Sequence, residues 1–288
     1  MTRPCLGPLA TSEAIAFAMP PGATDTHFHI IGAPPAHPFT PERVYTPPPA
    51  PVSACREMHG RLGIERAVIV TPSCHGTHNE ITLEAIEAYG PDNARGICVV
   101  SPDVPDSELE RLNDGGVRGL RLNVLFGGGV GLDAFRTLGP RARDLGWHVQ
   151  LLIDVSESLA DIEEDIRAVG VEVVVDHMGH LPVGKGTHDP GFQRLLGLVS
   201  DGLAWAKLSG CDRIATDAPL YEDAIPFAHA LLDAGPDRMV WGTDWPHVSK
   251  FEIMPDDGIL LNRLAVYAPD AGLRKRILVD NAARLYGF

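Results

Sequence analysis

Several things are scarce in this chain, and each scarcity narrows what it does. Apolar runs are short: none approaches the ~20 residues that a bilayer-spanning helix requires. Cysteines are few and dispersed. Cys5, Cys55, Cys74, Cys98 and Cys211 form no CxxC pair, which argues against a zinc–thiolate site and fits reduced thiols in the cytoplasm. Basic residues are outnumbered, 24 Lys and Arg against 38 Asp and Glu, for a formal net charge of −14. Nucleic acid and anionic membrane both call for a basic face, so neither is expected as a partner. A small anionic substrate stays open, because a few buried arginines govern a local pocket whatever the global sign. A glycine-rich phosphate turn is also missing: the first apolar segment runs into "HIIGAPPAH", without GxGxxG, which argues against a doubly wound dinucleotide fold.

What is present is a series of eight apolar, β-branched segments: 26–31, 67–73, 96–102, 119–125, 147–154, 171–177, 203–210 and 238–246. Most lack period-2 alternation, as strands buried on both faces do. Helical patterns fall between them. Residues 156–170 place Leu159, Ile162, Ile166 and Val169 on one face, with Ser156 expected as N-cap and Gly170 as the stop. Residues 79–89, 189–199 and 221–235 are expected to be helical too, with Asp189 capping and Pro190 in the first turn. Alternating strands and helices predict an α/β fold, a (β/α)8 TIM barrel over 23–288, as a single domain. Residues 13–19, "EAIAFAM", start on a glutamate and stop at "PPG", unlike a signal peptide, so 1–22 are expected to form an N-terminal arm. The proline-rich stretch 33–51 becomes the loop after the first strand, on the face where barrel active sites are built. "FGGGVG" (126–131) reads as a flexible loop, with a phosphate nest a weak alternative.

Polar residues collect at the C-terminal ends of these strands. They are His27 and His29; Ser73; Arg121 and Asn123; Asp154; Asp176, His177 and His180; Ser209 and Arg213; Asp244 and His247. Each has an ordinary structural reading. A histidine at a strand end commonly serves as a hydrogen-bonding residue, the aspartate of "TDWP" could cap a turn, and Arg121 and Arg213 could be salt-bridge partners. Three histidines and an aspartate at the ends of strands one, six and eight are harder to dismiss, since such clusters in a cleft are where catalysis is found.

"TDTHFH" at the first strand, "DHMG" at the sixth and "WGTDWPH" at the eighth resemble the amidohydrolase superfamily. They are most similar to the branch containing 2-pyrone-4,6-dicarboxylate lactonase and related lactone hydrolases. The resemblance runs from about residue 20 to the C-terminal "DNAARLYGF". It implies hydrolysis by attack of water on a carbonyl, with Asp244 as the general base and His27, His29 and His177 around the carbonyl oxygen. It implies that Tyr45, Ser73, Arg121 and Arg213 bind substrate carboxylates, with His180 and His247 beside them. Two arginines of that lactonase pattern are missing: "VLFGGG" follows Arg121 at 124–129, and His180 stands after "DHMG". A dicarboxylate normally takes bidentate guanidinium contacts on each carboxylate, so of the carboxylate-bearing lactones expected, 2-pyrone-dicarboxylate-like or muconolactone-like, one with fewer or differently placed charges is favoured over the pyrone dicarboxylate itself.

Binuclear members of the superfamily carry a lysine or glutamate on strand four and a histidine on strand five. "GLRLNVL" and "QLLID" supply neither. A single zinc held by His27, His29, His177 and Asp244 remains the alternative to a metal-free site. Three functions follow. The first is metal-free opening of a small anionic lactone. The second is a mononuclear zinc-dependent hydrolase, or a non-oxidative decarboxylase of an aromatic or muconate acid. The third is a barrel that binds a small acid without catalysis.

Overall fold

A computed structural model describes residues 2–288. Eight parallel strands form one sheet in simple sequence order: β1 Thr24–Phe28, β2 Arg66–Val70, β3 Ala94–Cys98, β4 Val117–Asn123, β5 His148–Leu152, β6 Val173–Val175, β7 Ala204–Lys207 and β8 Met239–Val240. Each lies within or against an expected apolar segment. Helices α1 Val52–Leu62, α2 Glu80–Tyr89, α3 Asp106–Asp114, α4 Phe135–Asp144, α5 Val155–Val169, α6 Pro190–Ser200, α7 Ile225–Ala234 and α8 Asp257–Tyr267 follow the strands in turn. The fold is a (β/α)8 barrel. Helices α1, α3, α4 and α8 were not legible in the sequence; α3 and α4 carry only two and four buried residues, too few for a clear period.

Backbone hydrogen bonds close the barrel between its first strand and the chain just beyond its last. Thr26 N–H donates to Trp241 O (3.0 Å), Asp244 N–H to His27 O (2.7 Å) and His29 N–H to Trp245 O (2.7 Å). Asp25 reinforces the seam: Oδ1 accepts from the His27 and Thr243 N–H groups (both 3.0 Å), and Oδ2 accepts from the Thr243 hydroxyl. The interior is layered. Val174, Trp205 and Val240 join an apolar lower layer with Tyr286 of the C-terminal helix Asn281–Tyr286. Two residues further along the strands, on the same face by strand alternation, stand Asp176 and Lys207.

Local signals held at α6, where the Asp189 carboxylate accepts from Gly191 and Phe192 N–H with Pro190 in the first turn. Gly170 ends α5 in the left-handed conformation, φ 68°. The N-cap of α5 is Asp154, not Ser156: its carboxylate accepts from Ser156 N–H, so the residue expected to line the pocket caps the helix. Aspartate and serine both cap, and the choice is made by where the strand ends.

The arm and two loops roof the barrel. Arg3–Pro4 pairs in parallel with Tyr45–Thr46, Leu6 N–H donates to Lys250 O (2.8 Å), and Ala16 N–H donates to Asn262 Oδ1 (2.7 Å) on α8. The 126–131 segment is packed and not a loose loop. A Cβ on Gly127 would meet Glu42 O at 2.6 Å, and one on Gly128 would meet Ser73 O at 2.5 Å. The glycines allow backbone to lie on backbone, and Asn123 pins the segment through Phe126 O, Leu125 N–H and Phe126 N–H.

The seam has no room for a side chain at Gly242, where a Cβ would stand 2.5 Å from His27 N. Gly242→Ala is expected to destabilise the protein by about 1–3 kcal/mol, as overpacking does. Urea unfolding checks this; a variant as stable as the parent would show that the seam does not depend on the close approach.

Candidate active site

At the mouth of the barrel four buried groups meet. Asp244 Oδ1 lies 3.7 Å from His27 Nε2, 3.6 Å from His29 Nε2 and 3.7 Å from His177 Nε2. The seam brings them together, since His27 O holds Asp244 N–H and Trp245 O holds His29 N–H. His27 and His29 rings stand edge to face with centroids 5.0 Å apart. Asp244 (φ 67°), His177 (φ 52°), His180 (φ 51°) and His247 (φ 57°) adopt the left-handed conformation without being glycine. Such strain persists where the surroundings hold it, often at functional sites. Close packing holds His177: a Cβ on Gly210 would stand 2.5 Å from the His177 Cβ.

The histidines differ in what lies behind them. His29 Nδ1 is 2.7 Å from Val70 O. A carbonyl only accepts, so Nδ1 carries the proton and Nε2 of the neutral ring presents a lone pair to the pocket. His177 Nδ1 meets the Ser209 hydroxyl at 3.0 Å, which serves either tautomer. His27 Nδ1 lies between Asp176 Oδ1 and Lys207 Nζ, both at 3.1 Å, while its buried Nε2 has no hydrogen-bond partner.

Burial keeps the imidazoles neutral. It pushes His27 down to about 3, against the opposing pull of Asp176, and lowers His29 and His177 as well. Burial alone would raise the Asp244 carboxyl. The Arg213 guanidinium beside it outweighs burial and holds it well below the usual carboxylate range. Arg213 Nε donates to Asp244 Oδ2 and its Nη2 to Val248 O (3.2 Å).

The other expected residues are placed as follows. Tyr45 OH and Ser73 Oγ are hydrogen-bonded at 3.0 Å. Arg121 is buried, its Nη2 3.3 Å from Asp176 Oδ2 and its Nε without a partner. His180 stands edge to face with His177, centroids 6.0 Å apart; its Nε2 is unpartnered, and burial pushes it down to about 4. His247 Nε2 lies 3.0 Å from Asp257 Oδ1 at the start of α8, a buried ion pair that raises its pKa despite burial, while its buried Nδ1 has no partner among the described residues. Sequence reasoning missed the layer below, Gln150 and Lys207. Lys207 Nζ donates to Thr26 O (2.9 Å) and Gln150 Oε1 (2.7 Å), and Gln150 Nε2 to Asp176 Oδ2 (3.0 Å). The available signal was a lysine inside the apolar strand "LAWAKLSG".

The donor set fits one metal ion. Ligand atoms of His27, His177 and Asp244 all lie within 4.8 Å of one another, and three N/O ligands with a water suit zinc.

An amidohydrolase family model matches residues 24–288. The chain belongs to the amidohydrolase family. It is 40% identical over 293 residues to a 4-sulfomuconolactone hydrolase of Rhizobium radiobacter, covering 99% of this chain and 96% of the relative. It is 36% identical over 281 residues to a 2-pyrone-4,6-dicarboxylate hydrolase of Comamonas testosteroni, covering 94% and 92%. The crystal structure of an Agrobacterium tumefaciens protein superposes with a TM-score of 0.86 at 30% identity, covering 96% of this chain and 99% of that one.

Neutral buried histidines make the fold acid-sensitive. His27 and His148 are lowered by burial to about 3, and His180 to about 4. Unfolded histidine titrates near ~6.5, so below that pH the unfolded chain binds more protons and stability falls with acid. Asp176 and Asp244, held low when folded, extend the loss below the ordinary carboxylate range. The melting temperature is expected to drop continuously from pH 6.5 toward 4, with proton uptake on unfolding; a flat profile over that range would contradict the neutral imidazoles.

Proposed function

We propose that the protein opens a small lactone bearing an acidic group, by attack of a water that Asp244 deprotonates, on a carbonyl held by imidazole. The observation that carries this is the convergence of three imidazole Nε2 atoms on Asp244 Oδ1, at 3.6–3.7 Å, beside buried arginines. The names of the relatives, lactone hydrolases both, support the same reaction. That spacing is too long for direct hydrogen bonds and leaves Asp244 facing the groups that would surround a reacting carbonyl. Donors aimed at a developing oxyanion are commonly worth a few kcal/mol each.

The imidazoles divide the work in this reading. His27 and His177 donate to the carbonyl oxygen. Neutral His29, its Nδ1–H committed to Val70 O, accepts a hydrogen bond instead. A water held by two acceptors, Asp244 Oδ1 and His29 Nε2, turns its lone pair outward to the substrate. After ring opening Asp244 passes its proton to the leaving oxygen.

The acidic group of the substrate has a further role. Arg213 holds Asp244 in an ion pair, which makes it a weak base. An anion that engages Arg213 draws it from Asp244 and restores basicity, so the charge on the substrate prepares the base. Arg121, with its unpartnered Nε, and the Tyr45–Ser73 hydroxyl pair serve the same anion. A muconolactone-like ring, with one or two acid groups, matches two arginines.

The preferred reaction runs without metal. In the alternative, one zinc held by His27, His177 and Asp244 would polarise the carbonyl as a Lewis acid. The cysteines are free, in keeping with a cytoplasmic setting. Residues 1–22 are taken as an arm that helps wall the mouth, and 23–288 as the catalytic barrel.

Asp244→Asn is expected to lower kcat by about 10³-fold or more, the size of general-base and nucleophile-activation effects combined, with KM lowered, since Arg213 loses the carboxylate that competes with the substrate anion. Hydrolysis of lactones with none, one or two carboxylate or sulfonate groups tests substrate charge, and metal analysis is made on the same preparation. Full activity of the variant would sink the role of Asp244. Stoichiometric zinc, with activity lost to a chelator, would favour the zinc reading.

A further inference from the structure

Beneath the reacting groups lies a buried lysine whose contacts bear on His27. Lys207 Nζ reaches four groups: Thr26 O at 2.9 Å, Gln150 Oε1 at 2.7 Å, His27 Nδ1 at 3.1 Å and Asp176 Oδ1 at 3.4 Å. An ammonium has three hydrogens. The two carbonyl oxygens, the nearest acceptors, take two of them. The third goes to His27 Nδ1 or to Asp176 Oδ1, and Nδ1 is the closer.

The same choice decides where the His27 proton sits. If Nδ1 accepts from Lys207, the ring proton is on Nε2 and faces the pocket. If Nδ1 carries the proton, it donates to Asp176 Oδ1, 3.1 Å away, and Nε2 faces the pocket bare. Three features favour the first arrangement. Asp176 stays compensated without a His27 hydrogen: Oδ2 faces Gln150 Nε2 at 3.0 Å and Arg121 Nη2 at 3.3 Å, and the Lys207 charge, 3.4 Å from Oδ1, offsets the Nδ1 lone pair that then faces that oxygen. A positive ammonium beside Nδ1 is attracted by a lone pair and repelled by an N–H. On the opposite side of the ring, Nε2 lies 3.7 Å from the Asp244 carboxylate, where an N–H is attracted and a lone pair repelled.

We propose that Lys207 is a positioning residue that locks His27 in the Nε2–H tautomer, opposite to that of His29. The two histidines of "THFH" then divide into a donor and an acceptor. His27 donates to the substrate carbonyl oxygen; His29 accepts from the water. Val70 O sets one tautomer and Lys207 the other, each from the face of the ring turned away from the pocket. An Nε2–H ring does not ligate a metal, so the same lysine biases the site against zinc. The role in catalysis rests on the lactonase reading; the tautomer itself does not.

The test separates the two. Histidine ring 15N–1H correlation spectra of the 15N-labelled protein, assigned with His27→Asn and His29→Asn, report which nitrogen is protonated without any substrate. The expected wild-type result is Nε2–H for His27 and Nδ1–H for His29. Nδ1–H at His27 overturns the proposal, whatever reaction the enzyme performs. In Lys207→Met, of similar length and without donors, His27 is expected to switch to Nδ1–H while His29 keeps its tautomer. On an acidic lactone kcat should fall by about 10²–10³-fold, the cost of one oxyanion donor, with KM changed little. An unchanged tautomer or unchanged kcat in a folded variant overturns the role of Lys207. Should Lys207→Met fail to fold, the wild-type spectrum still decides the tautomer, and Gln150→Met, which frees one Lys207 hydrogen, should leave His27 as Nε2–H. A switch there would also overturn it. If no lactone is hydrolysed but the spectra hold, the reaction fails and the tautomer stands.

Discussion

The seam between the first strand and the chain after the eighth is the constraint on which the site depends. Its three backbone hydrogen bonds involve Thr26, His27 and His29 on one side and Trp241, Asp244 and Trp245 on the other. The same peptide groups that shut the barrel thus set the distance from the carboxylate to two of its three imidazoles. Gly242 permits the approach, and Asp25 fixes it from within. In a closed barrel such a contact has no slack, because shifting one strand shifts its neighbours. The left-handed backbone at Asp244 is part of this arrangement: the chain turns sharply after β8 so that the side chain points back over the mouth.

Burying so many polar groups would be costly without compensation. The layer below the site supplies it. Asp176 accepts from Gln150 Nε2 and faces the cations Lys207 and Arg121, and its carboxyl lies well below the usual carboxylate range despite burial. Lys207 lowers its own cost with two carbonyl acceptors, though burial still brings its pKa down to about 8. A network this connected holds each ring at a fixed angle. Among the buried atoms of the described residues that lack a partner, His27 Nε2, His180 Nε2 and Arg121 Nε belong to residues at the mouth, where a substrate would take them up.

The strands were legible because a parallel barrel buries them on both faces, and a run such as "VEVVVDH" has no other simple reading. The groups of the proposed reaction were legible because they stand at the ends of those strands. Lys207 and Gln150 were not, since a polar residue inside a strand shows its meaning only when the neighbouring strands are in register: Gln150 pairs with Arg121 and Val174, and Val174 with Trp205, which places Gln150 and Lys207 within one interior. His247 has a partner that the sequence does not show. Its position in "TDWPH" suits the pocket, and α8 brings Asp257 to its Nε2, leaving only Nδ1 without a partner. The glycines at 127–129 read as freedom in the sequence. In the fold they are close packing against Glu42, Ser73 and Asn123.

In the proposed reaction Arg213 would join recognition to chemistry. A carboxylate held by a guanidinium is ionised but weakly basic, so Asp244, as the proposed base, would be charged and restrained before substrate arrives. Releasing it requires something that competes for the guanidinium, and a neutral lactone has nothing to offer. An anionic one does, and the free energy of that contact then appears in the transition state and not only in binding. In the proposed reaction, selectivity for charge and activation of the base would therefore follow from one residue. That reading gives a reason for a cation held in contact with Asp244, an arrangement that would otherwise only slow the proposed reaction.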